Sequence, residues 1–284
     1  MNKGIVLVAI GDNYRRFAVN LATSIRNHCN LPIHLFADEL HFEHCHLFDK
    51  ICLIDKADYY INGKFSPALI KLQLNKLSLF EQSIYIDVDS VVLKDVTPLF
   101  DKLPFYSHVV KVVSEKDSYW NCQWASKENV DSYFLEGIKK YSLPEINSSL
   151  LVFDNSEVCN KIFADGLEIA LNCDYSKVQL WGGTFPDELG FNLALAKNNV
   201  NLPITDLIYT RIKGDKTKSG ANTTADSEQY IIDNHYILTV FGSYHFNHTT
   251  IVMDNCRRGL YYRLGGNVPY KLNQLMRKKH VNNK

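Results

Sequence analysis

No stretch of the chain approaches the ~18 consecutive apolar residues that a membrane-spanning helix needs. The opening MNKGIVLVAIGD holds one short apolar run before Gly11-Asp12. That run is too short for the apolar region of a secretory signal and reads as a first core strand. The expectation is therefore a cytoplasmic protein with no stable membrane insertion. An excess of either charge is also missing: Lys+Arg and Asp+Glu both number 31, for a formal net charge of zero. A global positive field that would gather nucleic acid or an acidic membrane is excluded. Only the C-terminal MRKKHVNNK, Met276 to Lys284, is locally basic, and it reads as a solvated tail. The seven cysteines are odd in number and contain no C-x-x-C pair, which suits free thiols in a reducing compartment better than a disulfide framework. Three N-x-[ST] sequons, at Asn147, Asn222 and Asn247, carry little meaning without a secretory signal. There is no internal repeat.

What is present is an ordinary soluble composition, 46% hydrophobic and 22% charged, in 284 residues, with ample core. Strand and helix patterns alternate in the first half. GIVLVAI (4–10) reads as a buried strand, and YRRFAVNLATSIRNH (14–28) places Phe17, Leu21, Ala22 and Ile25 on one helical face. Pro32 to Phe36 and Lys50 to Ile54 read as further strands. Ser66-Pro67 supplies an N-cap and a first-turn proline for a Leu-rich helix over about 67–80. This order implies an α/β fold with a doubly wound, mostly parallel sheet, which binds ligands at the carboxyl ends of its strands. In the second half, 149–153 is strand-like, and 157–171 and 187–197 are helical. KGDKTKSGANTTADSE, from Lys213 to Glu228, is polar and lacks apolar periodicity, and it reads as an inserted loop of the kind used as a lid.

IYIDVDSVV, from Ile84 to Val92, reads as a buried strand that carries two carboxylates, Asp87 and Asp89. Burying each charge costs several kcal/mol, on the order of a lost ion pair, unless it is paired or metal-bound. In a regular strand both side chains point the same way, and at a strand end they can jointly present oxygens to a hard divalent cation. HFEHCH (41–46) raises zinc as a second metal possibility, but its spacing fits a surface helix better.

The segment LIKLQLNKLSLFEQSIYIDVDSVVLKDVTPLFD, Leu69 to Asp101, resembles the metal-site region of GT-A glycosyltransferases. It is most similar to glycosyltransferase family 8, the glycogenin and lipopolysaccharide galactosyltransferase group. There an apolar strand ends in D-x-D and is followed by D-x-T-P-L-F/W, here Asp95 to Phe100. AIGDNYRRFAVNLATSI resembles the first strand-turn-helix, which implies base contacts from Asp12, Asn13 and Tyr14. INSSLLVFD resembles the strand whose Asn meets the donor sugar, which implies Asn147 and Ser148 beside it. FPDELGFNLAL resembles an acidic D-Q-x-x-x-N helix start, here Asp187-Glu188-Leu189-Gly190-Phe191-Asn192. SYHFNHTT resembles the segment that supplies a third metal ligand, which implies His245.

The resemblance implies a GT-A fold in one glycosyltransferase domain over 1–284. Residues 1–100 would form the nucleotide-binding half, 101–255 the donor-sugar and acceptor half, and 256–284 a C-terminal helical tail. It implies Mn²⁺ or Mg²⁺ on Asp87, Asp89 and His245, with Val88 between the acids at the donor. The donor would be a nucleotide-sugar, most simply a UDP-sugar. Lys71 matches a basic position that faces donor phosphate or sugar. The Lys that holds the diphosphate in the family is absent from the His245 segment, and Lys71, Arg257 or Arg258 could substitute. Family 8 has Gln where Glu188 stands. Family 6 galactosyltransferases have D-E-x-x-x-N, with the Glu below the anomeric carbon. Glu188, with Asp187 beside it, is thus the candidate catalytic acid: a nucleophile, an ion-pair stabiliser or a general base. Among the tryptophans Trp120, Trp124 and Trp181, Trp181 before Gly182-Gly183 is the best acceptor-site candidate.

The acceptor would be a hydroxyl of a glycan, a lipid-linked precursor, a protein or a modified DNA base. Two other readings stand beside this one. A sugar nucleotidyltransferase requires a G-x-G-T-R-like loop after the first strand, and AIGDNYRR lacks it. A non-catalytic nucleotide- or glycan-binding relative would have lost an acid of the metal pair, and both are present.

Overall fold

The computed structural model describes residues 2–114, 124–125, 142–203, 207–209 and 233–239. The loop 213–228, His245, Trp120, Arg257, Arg258 and the tail 256–284 lie outside the described residues. The strands are β1 (Lys3–Ala9), β2 (Ile33–Ala37), β3 (Lys50–Leu53), β4 (Tyr60–Ile61), β5 (Lys64–Phe65), β6 (Gln82–Ile86), β7 (Ser90–Val92), β8 (Phe105–Ser114), β9 (Ser142–Asp154), β10 (Ile208–Tyr209) and β11 (Ile237–Thr239). The helices are α1 (Asp12–His28), α2 (Pro67–Lys71), α3 (Leu74–Leu77), α4 (Glu157–Asn172) and α5 (Asp187–Lys197). The result is a mixed α/β fold with a mostly parallel central sheet, six-stranded among the described residues. The chain divides into two compact units.

The first unit holds 5–53, 86–98 and the described residues beyond 206. Its strands β1, β2 and β3 lie side by side in parallel. Ile5, Val6, Leu7 and Ala9 are buried along β1, as are Ile33, Leu35, Phe36 and Ala37 along β2. Near-continuous apolar runs of this kind mark strands covered on both faces. The periodic face of α1 is buried as its spacing predicts, through Phe17, Ala18, Leu21, Ala22 and Ile25. Ser24, on the same face, accepts a hydrogen bond from the Val92 backbone N–H at 3.0 Å. β7 pairs antiparallel with β11, and β11 pairs parallel with β10.

The second unit holds 2–4, 54–85 and the described part of 99–203. β8 and β9 run antiparallel, with register shifts at Ser107/His108 and Val109/Lys111. Four phenylalanines join its elements: Phe105 of β8, Phe153 of β9, Phe163 of α4 and Phe191 of α5. Phe163 meets Phe153 at 5.1 Å and Phe191 at 5.3 Å, both edge to face. Helix α5 is buried on nearly all sides from Leu189 to Leu195, as its all-round apolar sequence requires.

Several local expectations are corrected. The run 84–92 is not one strand: β6 stops at Ile86, and Asp87-Val88-Asp89 forms a turn before β7. Val88 is buried, while both aspartates keep part of their surface in solvent, which relieves the burial cost of two carboxylates within a strand. The helix over 67–80 is split into α2 and α3. At the break the Gln73 side chain donates to the Leu69 carbonyl at 2.9 Å, and its backbone N–H turns to Ile70. A side chain thus takes the carbonyl that the ladder would have used. Ser66 stands at the N-cap of α2, but its buried hydroxyl makes no cap hydrogen bond. HFEHCH forms turns and one 3₁₀ turn rather than a helix, because His44 adopts a left-handed backbone (φ 63°).

Candidate active site

In the first unit, the chain turns from β1 into α1 at Gly11, whose φ of 95° favours glycine. Asp12, Asn13 and Tyr14 form the first turn of α1, at the carboxyl end of β1, and Tyr14 is 41% exposed. Asp38, just past β2, holds this turn. It accepts from the Gly11 N–H at 2.9 Å and pairs with Arg15 at 2.5 Å. Arg15 also reaches Glu39 at 2.7 Å. The Arg15–Asp38 clamp was not anticipated from the sequence, since nothing in the spacing links the two. Asp87, Val88 and Asp89 form the turn between β6 and β7. Among the described residues, no group of three His, Cys, Asp or Glu side chains could hold a metal ion. His245 is outside those residues.

In the second unit, β9 and α5 bring the sugar-side candidates together with Lys71. Asn192 of the D-E-x-x-x-N segment explains how. Its Oδ1 accepts from the Ile146 N–H at 3.0 Å, beside the Val109/Lys111 irregularity in the β8–β9 ladder. A helix side chain thus satisfies a strand N–H and docks α5 on β9, two residues before Ser148. Asn147 is buried, and its Oδ1 accepts from the Ser149 N–H. The Ser148 hydroxyl donates to Asp187 Oδ2 at 2.6 Å. Lys71, at the end of α2, reaches Asp187 Oδ2 at 3.2 Å and Ser148 Oγ at 3.3 Å. Its ammonium also lies 5.3 Å from the centre of the Tyr85 ring.

Glu188 is next along α5. Its Oε2 accepts from the Trp124 indole N–H at 2.8 Å, and its Oε1 from the Ser148 N–H at 3.4 Å. A little of its surface remains open to solvent, but protein surrounds the carboxyl densely enough that burial governs its ionisation. Burial first, and then the charge of Asp187, push its pKa up to about 8; Lys71, Trp124 and the Ser148 N–H pull the other way without prevailing. The dipole of a helix start alone would favour the charged form. Two adjacent carboxyls with separated environments, one bonded to a lysine and one held partly protonated, form an arrangement typical of acid–base and nucleophilic sites. In the sequence Trp124 stood only as one of three tryptophans that could stack on a sugar; its bond to Glu188 had no signal there. Its role comes from a contact 64 positions away in sequence.

The chain is similar to the crystal structure of the galactosyltransferase LgtC in complex with donor and acceptor sugar analogs, at 16% identity and a TM-score of 0.55, over 95% of this chain and 99% of that one. The fold is that of a GT-A glycosyltransferase. An active-site mutant of LgtC, with glutamine replaced by glutamate, matches at 16% identity and a TM-score of 0.54, over 95% and 99%. Mouse xyloside xylosyltransferase 1, in its apo form, matches at 11% identity and a TM-score of 0.52, over 87% of this chain and all of that one. Residues 2–112 match the family described as "Mannosyltransferase putative". No curated protein sequence matches the chain. Among the described residues, no helix is long and apolar enough to cross a membrane.

Proposed function

We propose that this protein is a metal-dependent glycosyltransferase that moves a hexose from a nucleotide-diphosphate donor, a UDP-hexose, to a hydroxyl acceptor with retention. The observation that carries the proposal is Glu188: a carboxyl with its pKa raised to about 8, hydrogen-bonded to Trp124 and Ser148, beside the Asp187–Lys71 pair. The GT-A fold and the family match over 2–112 support the reaction class.

The nucleotide base would lie on the first turn of α1, against Asp12, Asn13 and the exposed Tyr14. Lys71, Asn147 and Ser148 would meet the donor sugar. Two part-exposed carboxylates in one turn are a hard-oxygen donor set, so Asp87 and Asp89 fit Mn²⁺ or Mg²⁺, with His245 as third ligand. The ion, when bound, neutralises the diphosphate leaving group. Glu188, once ionised, faces the anomeric carbon as a nucleophile or as the counter-charge to an oxocarbenium-like state. Asp187 holds Lys71 and Ser148 in place beside it.

The family match favours a second donor reading, a mannosyl nucleotide. Both readings are tested by incubating the full chain with UDP-glucose, UDP-galactose and GDP-mannose plus Mn²⁺, following nucleoside diphosphate by mass spectrometry. Release from one donor is expected. It should fall by ~10³-fold or more in Asp87→Asn or Asp89→Asn, the scale of losing a metal ligand. No release from any donor overturns the transferase reading, and full activity in EDTA overturns its metal dependence.

A further inference from the structure

The structure leaves Trp181 half in solvent, 52% exposed, on a fixed turn seven residues before Glu188. Its backbone N–H donates to the Thr184 carbonyl at 2.9 Å, and the Thr184 backbone N–H returns to the Trp181 carbonyl at 3.0 Å. Gly182 and Gly183 between them have φ of 59° and 83°, conformations that a side chain would strain. Lys64, from the β4–β5 hairpin, closes on Gly183: a Cβ there would lie 2.9 Å from its ammonium nitrogen. Phe185, buried, anchors the far end. Trp181 is therefore held in place at the surface rather than loosely tethered.

Trp181 also meets Trp124, with ring centres 5.8 Å apart and planes at 80°. Trp124 is buried, and its indole N–H is committed to Glu188 at 2.8 Å. An exposed ring, a buried ring and the carboxyl thus form one continuous line within the second unit. An indole face carries negative charge density that attracts the polarised C–H groups of a pyranose ring, and its flat area suits the apolar face of a hexose.

We infer that Trp181 is the stacking surface for the terminal hexose of a glycan acceptor, and that Trp124 is a positioning residue that fixes the Glu188 carboxyl next to it. This narrows the acceptor to a glycan and rests on the transferase reading for its catalytic meaning. The binding part and the positioning part are nonetheless measurable without turnover.

The protein is labelled with fluorotryptophan, and its ¹⁹F spectrum is titrated with methyl glucoside, methyl galactoside and methyl mannoside to tens of millimolar. The Trp181 signal, assigned with Trp181→Phe, is expected to shift saturably with at least one hexoside. No movement with any of the three overturns the stacking role. In parallel, Glu188 is titrated by ¹³C NMR in wild type and Trp124→Phe. The indole N–H favours the carboxylate, so its loss should move the Glu188 midpoint upward, and with it the rising limb of the pH–rate profile. Donor consumption at neutral pH should fall by about tenfold, the usual scale for a lost hydrogen bond to a charged group. An unchanged Glu188 midpoint in folded Trp124→Phe overturns the positioning role. Failure of the transferase reading alone looks different: no donor is consumed, yet the hexoside shift and the midpoint change remain.

Discussion

Glu188 is the residue on which chemistry and stability meet. Its folded pKa of about 8 stands above the ordinary glutamate value of 4.5, chiefly because the carboxyl is buried and secondarily because Asp187 is charged. The folded protein therefore holds a proton that the unfolded chain releases. Stability on this account is greatest below about pH 4.5 and declines as pH rises, until the folded carboxyl ionises near 8. Under the proposed function, activity runs the opposite way. A carboxylate nucleophile or counter-charge needs the ionised form, so kcat/KM should climb towards pH 8. Glu188→Gln keeps the shape and one acceptor oxygen, so it retains one of the two hydrogen bonds, from either the Trp124 indole N–H or the Ser148 N–H. It should leave donor affinity nearly intact, lower kcat by roughly 10²- to 10⁴-fold, and flatten the decline of stability with pH. Urea titrations at several pH values and steady-state kinetics read both effects. Wild-type turnover in the variant would reduce Glu188 to an acid at a helix start.

At the scale of elements, α4 and α5 cross where neither has a side chain. A Cβ on Gly190 would lie 3.2 Å from the Gly166 carbonyl oxygen, and a Cβ on Gly166 would lie 3.0 Å from Leu72 and 3.3 Å from the Gly190 oxygen. Backbone cannot swing aside as a flexible side chain can. Gly190→Ala should therefore destabilise the fold by about 1–3 kcal/mol despite alanine's better helix propensity. Denaturant unfolding of the variant measures this, and a gain in stability would show that the helices part at little cost. This crossing also shows which elements were legible. The boundaries of α1, to within two residues, followed from apolar periodicity, because it buries one face; α4 and α5 lie within one residue of the expected helices 157–171 and 187–197, although α5 is apolar on nearly all sides. The 67–80 helix and the 84–92 strand were misread, because a Gln side-chain bond and a pair of carboxylates override periodicity locally. Asn62-Gly63 did carry a hairpin signal for β4–β5, with φ of 51° and 73°. The packing of Lys64 on Gly183, by contrast, depends on a hairpin strand and a turn 119 positions apart and left no trace in the local pattern.

At the scale of the whole molecule, the donor and metal candidates are spread over both units: Asp12, Asn13, Tyr14, Asp87 and Asp89 belong to the first, and Lys71, Asn147, Ser148, Asp187 and Glu188 to the second. The candidate residues were found by motif resemblance. Their partners, Asp38 and Trp124, emerged only from the fold, because the resemblance covered motifs and not the tertiary contacts that hold them. A ligand that binds the folded chain and not the unfolded one raises stability by mass action, by about 2.7 kcal/mol at a hundredfold excess over its Kd. If the metal bridges the Asp87–Asp89 turn to a diphosphate, UDP and Mn²⁺ should stabilise together by more than the sum of either alone, since each completes the other's coordination. Differential scanning calorimetry of the full chain, with UDP, with Mn²⁺, and with both, tests this. The joint shift in Tm should vanish in Asp89→Asn, while the unliganded Tm of that variant stays close to wild type because Asp89 is part-exposed. Strictly additive shifts, or a joint shift that survives in Asp89→Asn, would separate the metal from the nucleotide and remove the bridging role of the turn.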